Sequence, residues 1–277
     1  MINEISPAKY DNSFKDLKPR IGDTFLCYKN NQILVRRNYK YLELPKFLSI
    51  ISARHLFDID DNRFFYVSYD DLYTLDDSYE FININALREL EINSDLKQKI
   101  MVYAAVCGIH YNYFIKQTAY CGRCGTKMVE SKIEMANICP NCSNTRYPII
   151  MPAIAVAIIH NDKILLTKYS GRIQAHYALV AGYLEIGETL EECVKREAKE
   201  EVGLDLYDIK YYMSQPWGFS NTIMVGFIAK TYNDEIILCD NELCEAKWFT
   251  AEEIEIIDNP TSMSHKIIQD FRLKKIK

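Results

Sequence analysis

The chain lacks any apolar run long enough to cross a bilayer. The run Ala153 to Ile159 has only seven residues, where a transmembrane helix needs about 20. Its N-terminus, Met-Ile-Asn-Glu-Ile, lacks a basic region followed by an apolar stretch, so no signal peptide is expected and the cytoplasm is the expected location. An excess of positive charge is also missing: 33 Lys and Arg against 38 Asp and Glu give −5, which argues against a general nucleic-acid binder. No internal repeat or low-complexity tract is present. The first hundred residues hold no catalytic constellation, and His55 and His110 are isolated histidines that read as structural or exposed.

What is there belongs to a folded protein. With 48% hydrophobic and 26% charged residues, the balance excludes a disordered chain. The length of 277 residues suggests two domains with a small insert, because single cores seldom grow beyond about 250 residues. Charge is unevenly spread. Residues 1–115 carry 14 basic and 16 acidic groups, 116–150 carry 5 and 2, and 151–277 carry 14 and 20. A mildly basic island of +3 thus separates parts of −2 and −6.

The N-terminal segment reads as mixed α and β. Thr24 to Tyr28, a polar turn at Asn30-Asn31 and Ile33 to Val35 form a hairpin pattern, and Arg63 to Tyr69 has strand composition. Ser94 opens a helix running to about Lys116, with Asp95 favouring its first turn. After residue 153 strands and helices alternate. Strands are expected near 153–160, 163–168, 207–213, 222–232 and 245–249, and helices after 188 and over 263–274, completing an α/β domain. Ala153–Ile159 has no polar interruption, as in a strand buried on both faces.

Nine cysteines in a reducing compartment call for a role other than disulfides. Cys121-x2-Cys124 and Cys139-x2-Cys142, 14 residues apart, have the spacing of two knuckles that place four thiolates around a tetrahedral Zn²⁺. Four Cys ligands leave no open position, so the site reads as structural. Nucleic-acid binding by this ribbon is the other reading, and three net charges support it only weakly. The remaining cysteines, 27, 107, 193, 239 and 244, show no ligand spacing and read as reduced thiols.

The stretch from Gly182 to Leu204 is the most informative. Thr189 and Glu192 make a capping box, so a helix starts near Leu190. Leu190, Val194 and Ala198 form its packed stripe. Glu197, Glu200 and Glu201 fall at i, i+3 and i+4 on another face. Three like charges within one turn destabilise a helix, and Mg²⁺ or Mn²⁺ suits such an all-oxygen set. The spacing Gly182-x5-Glu188-x7-Arg196-Glu197-x2-Glu200-Glu201-x-Gly203 resembles the Nudix box at every fixed position. The resemblance implies a Nudix α/β/α sandwich and hydrolysis of a nucleoside diphosphate linked to another group. It places the metals on Glu197, Glu200 and Glu201, helped by the Ala181 carbonyl, and pairs Glu188 with Arg196 to brace the loop. Glu201 is the first candidate for a residue whose loss abolishes turnover, as ligand or as base.

Beyond the box comes Ser214-Gln-Pro-Trp-Gly-Phe-Ser-Asn-Thr222. Box, preceding ribbon and Ser-Gln-Pro-Trp together resemble the NADH pyrophosphatase family. Members split NAD(H) into NMN(H) and AMP, and some remove NAD caps from RNA. Three positions depart from the family's usual Ser-Gln-Pro-Trp-Pro-Phe-Pro-x-Ser: Gly218, Ser220 and Thr222. The loss of two prolines predicts a more mobile loop and broader substrate choice. Ile149 stands where an Arg is usual, and Thr118 near a usual His.

By the same resemblance Gln215, Pro216, Trp217, Gly218, Phe219, Ser220, Asn221 and Thr222 contact the dinucleotide, Tyr183 stacks on a base, and Ser264 touches substrate. Glu242 and Glu245 match the family's second acidic pair and complete the metal shell. His176 reads as a surface residue near the phosphates. The expected organisation is a mixed α+β domain over 1–116, the ribbon over 117–150 and the Nudix domain over 151–277, in a homodimer. The competing readings are a Nudix enzyme acting on another dinucleotide such as ADP-ribose, and a non-catalytic nucleotide sensor or RNA-binding module.

Overall fold

The computed structural model describes residues 1–36, 41–46, 52–72, 77–88, 90, 95–171, 177–238, 242–256 and 261–276. Two compact units emerge. One comprises Met1, 151–216 and 222–277, and the other 2–150 with 217–221.

In the first unit a mixed sheet is built on the apolar run anticipated as a strand buried on both faces. Met151–His160 lies parallel to Thr222–Thr231, with Ile154 opposite Val225 and Ala157 opposite Ile228. Outward from this pair the order is Leu206–Trp217, Thr222–Thr231, Met151–His160, Lys163–Tyr169 and Leu243–Phe249. Val180–Tyr183 pairs separately with Met151–His160.

The period of two assigns the faces. Ile154, Val156 and Ile158 point into a core shared with Cys193, Val194, Ala198 and Val202 of one helix, and Ala155, Ala157 and Ile159 into a core shared with Met263, Ile267 and Phe271 of another. Burying an Ile or Val side chain contributes about 1.5–3 kcal/mol. A helix on each face of one sheet is the α/β/α sandwich that the box implied.

In the second unit one four-stranded sheet runs Tyr10–Asp11, Arg54–Ile59, Asn62–Tyr66, Thr24–Leu26, and a three-stranded one runs Tyr28–Lys29, Gln32–Arg36, Tyr79–Asn83. The hairpin expected over 24–35 is therefore divided. Tyr28–Lys29 pairs with Gln32–Arg36, while Thr24–Leu26 lies parallel to Asn62–Tyr66.

Helix α1, Leu96–Gln117, is capped by Asp95, whose carboxylate accepts from Lys97 N. Ser94 lies outside the described residues. The helix buries every residue from Val102 to Ile109, as a helix apolar on all sides should. Behind it come the three short ribbon strands, Val129–Glu130, Asn137–Ile138 and Thr145–Arg146. Among the described residues no helix is long and apolar enough to cross a membrane.

Candidate active site

Helix α2, Leu190–Val202, begins on the expected capping box: Thr189 Oγ1 accepts from Glu192 N, and Glu192 accepts from Thr189 N. It ends on Gly203, left-handed at φ 74°. Cys193, Val194, Ala198 and Val202 are buried, which turns Arg196, Glu197 and Glu200 to the opposite side.

Arg196 is the hub of that side. Its Nε and Nη2 donate to the two oxygens of Glu188 at 2.5 and 2.9 Å. Nη1 reaches Glu197 Oε1 at 2.7 Å and Glu200 Oε2 at 3.1 Å, and Nη2 also donates to the Tyr183 carbonyl at 2.9 Å. The forked geometry of guanidinium is what permits one side chain to grip so many acceptors. Beside it the Glu188 carboxyl is held down at about 2, and the Glu185 backbone N–H assists. The pairing of Glu188 with Arg196 is thus present in the fold.

Glu197 lies against Gly182. A Cβ at Gly182 would fall on the Glu197 carboxylate, so the glycine of the box is required by this close approach. Burial pushes the Glu197 carboxyl above its ordinary value, against the pull of Arg196. Glu200 is exposed, and Glu201 is 3% exposed at the core edge of the helix. Three carboxylates within a turn, one of them buried, supply only oxygen donors, the chemistry a hard divalent cation requires.

The further acids are placed differently. Glu245 faces Lys168 across the strand pair at 3.3 Å and also contacts Lys247, whose charge holds the Glu245 carboxyl down at about 2. Glu242 sits exposed just before that strand, its carbonyl accepting from Ser170 N. Among the described residues, the only group of three or more His, Cys, Asp or Glu with ligand atoms drawn within 4.8 Å of one another is the four-cysteine set. Ala181 pairs with Ala155, and Tyr183, 51% exposed, ends the same strand.

The residues after the box divide by burial. Gln215, 1% exposed, donates from Nε2 to Thr261 O and accepts at Oε1 from Met263 N, so its amide fastens the start of helix α3, Met263–Arg272. Gly218, Asn221 and Thr222 are buried as well. Pro216, Trp217, Phe219 and Ser220 keep accessible surface, as does Ser264 in the first turn of α3. Trp217 and Phe219 lie with ring centroids 4.8 Å apart, and the Arg88 guanidinium covers both rings at 5.2 and 4.4 Å.

The segment is closely held despite its missing prolines. A Cβ at Gly218 would meet the Val106 carbonyl oxygen, so glycine allows this turn to press onto α1. Asn221 is left-handed at φ 56°, with its N–H bonded to Gly218 O. His176 falls outside the described residues.

In the ribbon, Cys124 Sγ lies 3.5 Å from both Cys139 Sγ and Cys142 Sγ, and Cys121 Sγ lies 3.6 Å from Cys142 Sγ. A tetrahedron with Zn–S of about 2.3 Å has edges of about 3.8 Å, so the four sulfurs fit zinc. Arg123 N and Asn144 Nδ2 donate to Cys121 Sγ, each at 3.4 Å, and favour its thiolate. Hydrogen bonding from Thr126 holds Cys124 down at about 5. At Cys142 the Asn144 N–H also favours the thiolate, but burial and the three neighbouring sulfurs prevail and push it up to about 12. Four crowded sulfurs do not all ionise without a cation to offset the charge. Zinc supplies it, and the site is structural.

Two residue groups escaped sequence reasoning. Arg54, 8% exposed, donates to Asn137 Oδ1 and Ala136 O beside the Cys139 knuckle. His110 bonds Asn221. Their partners are 83 and 111 positions away, and no local pattern signals such pairs.

The sandwich and the braced carboxylate helix are the features of a NUDIX domain, and the family models agree. Residues 150–271 match the NUDIX domain and residues 116–147 match the NADH pyrophosphatase zinc ribbon domain. Curated relatives include the NAD-capped RNA hydrolases NudC of Escherichia coli (strain SMS-3-5 / SECEC) and of Escherichia coli O81 (strain ED1a). Each is 36% identical over 163 residues, covering 59% of this chain and 63% of the relative. A NUDIX hydrolase from Nitrosomonas europaea is similar in structure, with a TM-score of 0.46 and 20% identity over 56% of this chain and 92% of that one. The chain therefore carries a NUDIX domain directly preceded by the zinc ribbon domain of NADH pyrophosphatases. It spans 63% of the length of the curated relatives it matches.

Proposed function

We propose that the chain hydrolyses the pyrophosphate bond of NAD(H), yielding NMN(H) and AMP, and removes NAD caps from RNA. The observation that carries this reading is the union of an intact box helix with the NADH pyrophosphatase ribbon, in a chain of which 163 residues are 36% identical to NAD-capped RNA hydrolases. Glu197, Glu200 and Glu201 would hold Mg²⁺ or Mn²⁺, with Ala181 O, Glu242 and Glu245 as further donors. A bound cation neutralises phosphate charge and lowers the pKa of a bound water.

The chain's own residues divide the remaining work. Arg196 keeps Glu197 and Glu200 in place, and a carboxylate of this set accepts the proton from water; the buried Glu201 is first choice. Tyr183, Pro216, Trp217, Phe219, Ser220 and Ser264 offer accessible surface to the dinucleotide. Gln215, Gly218, Asn221 and Thr222 are buried and would contribute by holding their own segment of chain. Glu245 joins the metal shell only by releasing Lys168 and Lys247.

The reading includes cytoplasmic location, a homodimer, and a division into an N-terminal domain over 1–116, the ribbon over 117–150 and the catalytic domain over 151–277. The test is a panel of NADH, NAD, ADP-ribose and NAD-capped RNA incubated with Mg²⁺ or Mn²⁺, with products identified and kcat/KM compared. NMNH and AMP from NADH are expected. ADP-ribose cleaved far faster than every NAD-containing substrate would replace the substrate part of this reading.

A further inference from the structure

Helix α1 presents Val106 and His110, one turn apart on one face, to the segment Trp217–Asn221. Gly218 seats against the Val106 carbonyl. His110 Nδ1 lies 3.0 Å from Asn221 Oδ1, and Asn221 Nδ2 donates to Ile149 O at 2.8 Å. The second bond decides the chemistry of the first. A backbone carbonyl only accepts, so the Asn221 amide nitrogen faces Ile149 and its oxygen faces His110. Nδ1 must therefore carry the hydrogen. In the neutral ring Nε2 is then a lone pair, and Nε2 is buried with no hydrogen-bond partner. Leaving Nε2 as a lone pair avoids burying a charge there. Burial pushes His110 below the ordinary histidine value and keeps it neutral.

We infer that His110 is a positioning residue, whose Nδ1–H tautomer latches Asn221 and so sets the Trp217–Ser220 surface offered to the dinucleotide. Asn221 is 3% exposed and left-handed at φ 56°. It therefore serves as the fixed end of the turn, while Trp217 and Phe219, covered by Arg88, form its accessible side. The inference rests on the reading that this segment meets the substrate, but the latch itself is measurable without turnover.

Three variants separate the roles. Asn places its amide nitrogen where Nδ1 stands, Gln places it nearer Nε2, and Ala has none. His110→Ala and His110→Gln should raise KM for NADH about fivefold to tenfold, the loss of one hydrogen bond, with kcat within about twofold. His110→Asn should restore KM. In a Trp248→Phe background, Trp217 is the sole tryptophan, and its emission should shift to the red in the Ala and Gln variants and return in Asn. Nitrogen-15 spectra of histidine-labelled full-length protein should show His110 as the Nδ1–H tautomer.

An Nε2–H tautomer, or emission and KM unchanged in His110→Ala, would overturn the latch. If the wild type splits none of the dinucleotides, the proposed function falls, while tautomer and emission still decide the latch. A shifted emission with unchanged KM would overturn its role in substrate positioning.

Discussion

Replacing Gly182 by Ala adds one methyl group, and the fold shows where it goes. The new Cβ falls on the Cδ, Oε1 and Oε2 of Glu197. The strand has little freedom to retreat, because Ala153↔Tyr183 through Val156↔Val180 pair it with the central strand. The carboxylate must therefore swing away and give up its 2.7 Å bond from Arg196. A bond to a charged group contributes about 1.5–3 kcal/mol, and partial exposure of Glu197 reduces this to about 1 kcal/mol. The melting temperature should accordingly fall by only about 2–4 °C in a chain of this size. On the proposed function activity should suffer far more, since displacing a catalytic group by about 1 Å can cost about a hundredfold. Thermal unfolding followed by circular dichroism, alongside NADH hydrolysis at saturating Mn²⁺, measures both. Activity within threefold of wild type would refute the argument that Gly182 exists to seat Glu197. A fall in Tm beyond about 10 °C would refute the claim that only the carboxylate moves.

Three further outcomes follow from other contacts. In Arg196→Met, the Glu188 carboxyl should return from about 2 toward its ordinary 4.5. The folded value is the depressed one, so the pair's contribution is full above pH 4.5 and disappears as pH falls toward 2. The urea stabilities of wild type and variant should therefore converge over that window, and a constant gap would contradict the pairing. Gly218→Ala brings a Cβ against the Val106 carbonyl and should cost about 1–3 kcal/mol in urea unfolding. An unchanged midpoint would show that the close approach is unnecessary. Cys139→Ser should release the zinc, measured as metal per chain by atomic emission, with loss of ribbon structure; full zinc retention would contradict the four-sulfur site.

Much of the architecture was legible because its causes are local. The Cys pairs announce a tetrahedron, the Thr189–Glu192 box marks a helix start, and the unbroken apolar run Ala153–Ile159 marks a strand buried on both faces. Other features depend on distant partners. Val180–Tyr183 is short, carries Ala and Gly and shows no alternation, so only its pairing with the central strand defines it. The parallel register of Met151–His160 with Thr222–Thr231 has no local cause. Thr24–Leu26 left the expected hairpin for a parallel partner.

In the site, the box residues were readable as a set, but not the state of each. That Arg196 grips three glutamates, that Glu245 is tied to two lysines and that Gln215 fastens α3 are consequences of packing. The missing prolines at 218 and 220 suggested a looser loop. The fold instead uses the absence of a side chain at Gly218 to bring the turn onto α1.

The central claim, hydrolysis by the carboxylates of helix α2, is tested most directly by Glu201→Gln. The substitution keeps shape and removes charge. With Mg²⁺ or Mn²⁺ present, wild-type protein should convert NADH to NMNH and AMP. The variant should lose at least about a hundredfold in kcat while retaining its fold and its zinc. Wild-type rates of NMNH release from a folded Glu201→Gln protein would contradict the account.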